Sequence, residues 1–75
     1  MTWEELKEEA KKMDAAILAD GKTFSISGLS FCENGRIYVE TAHYDEEYGE
    51  WIYSKEMIAD NRSYGQMLTI MKALQ

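Results

Sequence analysis

The pair Asn34-Gly35, set between the runs Leu29–Cys32 and Arg36–Tyr44, constrains the fold of this chain more than any other feature. Asn-Gly between apolar, alternating runs is a strong hairpin signal, because both residues tolerate the positive φ of a tight turn. Pleat parity then fixes the loop length. A two-residue turn sets Phe31 opposite Tyr38 and Cys32 opposite Ile37, which mixes the faces. A three-residue loop Glu33-Asn34-Gly35, with Gly35 left-handed, sets Phe31 opposite Ile37 and Leu29 opposite Val39. That register gathers the apolar residues on one face, and a slip of one residue undoes it. The three-residue loop is the expected one.

The neighbouring segments extend the sheet. Thr23–Ser27 alternates Phe24 and Ile26 with polar residues, as a half-buried strand does, and Gly28 breaks or bulges it. Glu50–Tyr53 reads as a further strand. A five-residue loop Asp45–Gly49 sets His43 opposite Trp51 and Thr41 opposite Tyr53, so that Trp51 joins the apolar face of Ile37 and Val39. The opposite face then carries Tyr38, Glu40, Ala42, Tyr44 and Ile52.

Helices are expected at both ends. Thr2 and Glu5 form a capping box, and Trp3, Leu6, Ala10 and Met13 make an apolar stripe. Glu4, Glu8 and Glu9 each have a lysine three residues on, which marks a solvated face. Residues 14–20 admit two readings. Either the helix runs to about Ala19 with Gly21 after its end, or Ala15–Ala19 is a strand that pairs Ile17 with Phe24. Ser54 is expected to cap a short turn through Met57 and Ile58. Ser63 and Gln66 form a second capping box, opening a helix with the stripe Met67, Ile70, Met71 and Leu74. Methionines at this spacing are core residues more often than a binding groove.

The expected fold is therefore one α+β domain over residues 1–75. It has two layers, with an antiparallel β-meander of three to five strands flanked by an N-terminal and a C-terminal helix. A chain this size buries roughly 60% of the surface it exposes when unfolded, enough for one core but not for a deep active-site cavity.

Charge narrows the function. The net charge is −6, and no cluster of Lys and Arg supplies the phosphate contacts that direct nucleic-acid binding requires. A membrane partner is not expected either, since no apolar run approaches the roughly 18 residues of a span. Cys32 is the only cysteine, and the start Thr2-Trp3-Glu4-Glu5 lacks the regions of a secretory signal, so a reducing cytoplasm is the expected compartment.

Catalytic chemistry has little to draw on. His43 is the only histidine, and the sheet register puts it and Cys32 on opposite faces. Asp45, Glu47 and Glu50 lack the order of a calcium loop, and no phosphate loop or metal-ligand cluster is present. No cofactor and no enzymatic activity are expected.

What remains is the stretch Tyr44-Asp45-Glu46-Glu47-Tyr48-Gly49-Glu50, with four carboxylates, two tyrosines and no lysine or arginine. Together with Tyr38 and Glu40 it predicts a contact surface for a basic protein partner, made of Tyr38, Glu40, Tyr44, Asp45, Glu46, Glu47, Tyr48 and Glu50. Two alternatives share these residues. One is a nucleic-acid mimic that inhibits a DNA- or RNA-handling protein, of the anti-restriction or anti-CRISPR type. The other is a homodimer joined through the outer sheet face.

Overall fold

A computed structural model describes all of residues 1–75. In order, the elements are helix α1 (Trp3–Lys12), strands β1 (Ala16–Ile17), β2 (Thr23–Ile26), β3 (Leu29–Cys32), β4 (Ile37–Asp45) and β5 (Glu50–Ala59), and helix α2 (Tyr64–Ala73). The strands form one antiparallel sheet in sequence order. The chain is thus α+β, a five-stranded meander flanked by two helices.

Both capping boxes form. Thr2 Oγ1 accepts the Glu5 N–H at 3.2 Å, and the Thr2 N–H donates to Glu5 Oε1 at 2.8 Å. Ser63 and Gln66 repeat the exchange at 3.1 and 2.9 Å. Each satisfies amide groups that a helix start otherwise leaves unpaired.

The strand reading of residues 14–20 is the one the structure adopts. Helix α1 stops because Asp14 turns left-handed, with φ 58°. The Ala15 N–H then returns to the Ala10 carbonyl and the Asp14 N–H to that of Lys11, which is a Schellman motif. Asp tolerates this conformation where most residues do not. The freed chain pairs Ile17 with Phe24.

Two further turns hold the register of the body. Ser27 and Gly28 both have positive φ (50° and 80°), so β2 and β3 join through a two-residue turn of type I′. The loop Glu33-Asn34-Gly35 places Phe31 opposite Ile37 and Leu29 opposite Val39, as its sequence predicts. Gly35 sits at φ 91°, and a Cβ there would lie 3.1 Å from the Arg62 carbonyl.

One face of the sheet meets both helices. Trp3, Leu6 and Ala10 from α1 pack with Phe24, Ile26, Phe31 and Ile37 from the sheet and with Met67 and Met71 from α2. Phe24 stacks on Trp3 and Phe31, with ring centroids 5.3 and 5.4 Å apart. The Trp3 indole N–H donates to the Gly21 carbonyl at 2.7 Å. The two methionines are core, fully buried.

Two expectations fail in the last hairpin. Asp45 pairs with Glu50 instead of joining the loop, so the loop is Glu46–Gly49. Tyr44 therefore lies opposite Trp51, Ala42 opposite Tyr53, and His43 opposite Ile52. The cause is local: Asp45 Oδ1 accepts the N–H groups of Glu47 and Tyr48 at 2.9 and 3.3 Å, and the Gly49 N–H closes on the Asp45 carbonyl at 2.8 Å. Gly49 completes the turn at φ 67°. This one-residue change moves Trp51 to the face away from the helices.

The turn expected at Ser54–Ile58 is also absent. These residues continue β5, which runs on to Ala59. Ile37 pairs with Ala59 but Tyr38 with Met57, so Ile58 is the extra residue of a bulge. The apolar neighbours Met57 and Ile58 break the period of two for that reason.

Candidate interaction surface

Strands β4 and β5 outrun the rest of the sheet. β3 pairs with β4 only over Ile37–Val39, and the last tie to β4 is the Glu40 N–H donating to the Gly28 carbonyl. From Thr41 to Ser54 the hairpin stands free, and the molecule is correspondingly long at 47 × 25 × 23 Å.

The face of this hairpin turned away from the helices carries four cross-strand pairs: Tyr38 with Met57, Glu40 with Lys55, Ala42 with Tyr53, and Tyr44 with Trp51. Large apolar side chains here are uncovered, with Trp51 58%, Tyr53 76% and Tyr44 51% exposed. The Tyr44 and Trp51 rings meet edge to face at 5.6 Å, so they hold each other in place while most of their area faces solvent.

The base of the surface is tied to the body. Glu40 Oε1 accepts from the hydroxyls of Ser25 and Ser30 at 3.3 and 3.2 Å, and Ser30 is fully buried. The Arg36 guanidinium is held above its ordinary range, first by the Tyr38 hydroxyl beside it and then by Asp60, whose Oδ1 lies 3.5 Å from Arg36 Nε.

Free negative charge gathers at the tip. On α1, Glu4, Glu8 and Glu9 are bridged to Lys7, Lys11 and Lys12 at 3.0, 3.0 and 3.4 Å. Glu46, Glu47 and Glu50 have no such cation and are exposed, and Tyr48 projects beside them at 73% exposure.

The predicted contact residues divide accordingly. Tyr38, Glu40 and Tyr44 lie on the outer face, and Glu46, Glu47 and Tyr48 form the tip. Asp45 holds the loop together through its oxygens. Glu50 shares the opposite face with Asp45, and Ile52 faces His43 there instead of joining the aromatic face. Sequence parity misses Trp51, Tyr53 and Met57. The signal that finds them is Asp45 followed four residues later by Gly49, which closes a four-residue loop.

Cys32 and His43 are not brought together. Cys32 pairs with Thr23 on the outer face, while His43 lies on the helix side. No group of three or more His, Cys, Asp or Glu side chains stands close enough to hold a metal ion. The two largest clefts are open to solvent. One, of about 500 Å³, lies between Cys32 and Tyr64, and an apolar one of about 480 Å³ lies between Ile58 and Ile70. No helix is long and apolar enough to cross a membrane.

No protein-family model, curated protein or solved structure matches the chain.

Proposed function

We propose that this chain is a non-enzymatic interaction module that engages a basic protein partner through the outer face and tip of the β4–β5 hairpin. One observation carries the reading: an uncovered aromatic surface of Tyr44, Trp51 and Tyr53 runs directly into carboxylates that no lysine or arginine of the chain neutralises. Exposed apolar patches bordered by charge mark contact surfaces in soluble proteins. The rings supply rigid area at low entropic cost, and the carboxylates accelerate encounter with a positive surface and reject a negative one.

The charge distribution favours this reading over a nucleic-acid mimic. A mimic needs carboxylates spaced along a face, whereas Glu4, Glu8 and Glu9 of α1 are lysine-bridged and the unbridged Glu46, Glu47 and Glu50 cluster at the hairpin tip.

The test is a triple variant, Glu46→Gln, Glu47→Gln and Glu50→Gln, which leaves the Asp45 turn intact. Proteins captured from the native host by wild type and variant are compared, and the affinity of the differing partner is then measured at two salt concentrations. The expected result is a basic partner bound about tenfold more weakly by the variant, with a flatter salt response. Equal affinity and equal salt dependence contradict the proposal.

A further inference from the structure

We infer that the partner is gripped as an extended, arginine- or lysine-bearing segment that adds to the free edge of β5 as a sixth strand. This rests on the basic-partner reading above and specifies how that contact is made.

The sheet has two edges, and they differ greatly. β1 has two residues, whereas β5 has ten. On its outer side β5 forms no backbone hydrogen bond with any other part of the chain, so its unpaired amides and carbonyls are a template for another strand. The run Glu50–Met57 pairs with β4 without a break, contains neither Gly nor Pro, and ends where the Ile58 bulge begins. The charges of Glu50, Lys55 and Glu56 are what blunts the edge over that run, and Trp51–Ser54 between them carry none.

The side chains along the edge state what the incoming strand should carry. A strand added about 4.8 Å from β5 has alternate side chains on the two faces. On the outer face its neighbours are Trp51, Tyr53, Lys55 and Met57; on the other they are Glu50, Ile52, Ser54 and Glu56. An arginine on the outer face beside Trp51 and Tyr53 stacks its guanidinium on exposed rings. A basic residue on the helix side meets Glu50 or Glu56, with Glu46 and Glu47 beyond the end of the strand. Cations are therefore suited to both faces near the tip. A second copy of this chain is the poorer occupant, because β5 against β5 would bring two chains of charge −6 together along an edge holding Glu50 and Glu56.

The experiment uses the full chain labelled with ¹⁵N and three synthetic peptides. The first alternates arginine with valine. The second replaces each arginine with citrulline. The third keeps the arginines but is N-methylated at every second backbone amide, along one edge. Amide and indole shifts, hydrogen exchange of β5 and sedimentation of the chain alone are recorded.

The arginine peptide is expected to shift the Trp51 indole N–H and to slow exchange of alternate β5 amides. Both modified peptides should bind about tenfold more weakly or worse, and the chain alone should sediment as a monomer. An N-methylated peptide that binds as well as its parent overturns strand addition and leaves the basic-partner reading intact. A citrulline peptide that binds as well as arginine overturns the basic-partner reading itself. Dimerisation of the chain with protected β5 amides would give the edge to a second copy and overturn the inference.

Discussion

Tyr44 and Trp51 face each other across β4 and β5 on the side of the sheet that neither helix covers, with ring centroids 5.6 Å apart at an interplanar angle of 60°. Their pairing follows from the Asp45 turn, and it exposes an indole that the apolar pattern alone would bury. The chain therefore has two tryptophans in opposite environments. Trp3 is 7% exposed within the core, and Trp51 is 58% exposed.

That contrast predicts distinct spectroscopic and energetic behaviour. Acrylamide should quench the emission of a Trp3→Phe variant, which retains Trp51, far more than that of Trp51→Phe. In urea unfolding, Trp51→Ala should cost about 1 kcal/mol, the scale of a cross-strand aromatic pair. Trp3→Ala should cost about 3–5 kcal/mol, as a large buried ring does.

The tip depends on Asp45 as an acceptor. Replacing it with alanine removes a carboxylate oxygen that accepts the N–H groups of Glu47 and Tyr48. Asp45→Ala should destabilise the chain by about 1 kcal/mol and weaken the cross-strand nuclear Overhauser contacts between Tyr44 and Trp51. Asp45→Asn keeps the acceptor and should behave like wild type in both measurements.

How far the sequence foretells this fold varies with what each residue packs against. The register of Phe31 with Ile37 is legible because one face of β3 and β4 is buried there and Gly35 fixes the turn. The same burial argument misplaces Trp51, because it extends to a stretch that no helix covers. Where both faces meet water, the turn alone decides the register. The end of α1 is ambiguous in the sequence because Asp14 stands where glycine usually marks a stop. The tyrosines and carboxylates of the proposed contact surface are visible as composition. Its two most exposed rings on the sheet face, Trp51 and Tyr53, are not, since their side of the sheet depends on whether the loop has four residues or five.

Gly35 is required on two counts: its φ of 91°, and the Arg62 carbonyl, which would stand only 3.1 Å from any Cβ added there. Gly35→Ala should cost about 1–3 kcal/mol in urea unfolding. Gly28 also has positive φ, at 80°, but faces open space, so Gly28→Ala should cost less, about 1 kcal/mol.

Acid should act in part through the first capping box. The Glu5 carboxyl is held below its ordinary value of 4.5, first by the Thr2 backbone N–H and then by the Thr2 side chain. Because the folded value lies below the unfolded one, this contribution is fully present above the unfolded value. It is lost as the pH falls through the folded value. The urea midpoint of wild type should therefore drop more between pH 7 and pH 3 than that of Glu5→Gln, which retains an acceptor but does not titrate.

The central claim is that the uncovered aromatic face of the β4–β5 hairpin is a binding surface. The most direct measurement is the dissociation constant of the captured basic partner for wild type and for the double variant Trp51→Ala, Tyr53→Ala, with folding of the variant checked by circular dichroism. A loss of about 100-fold or more, the scale of two anchoring aromatic residues, is predicted. A folded variant that binds as tightly as wild type would contradict the account.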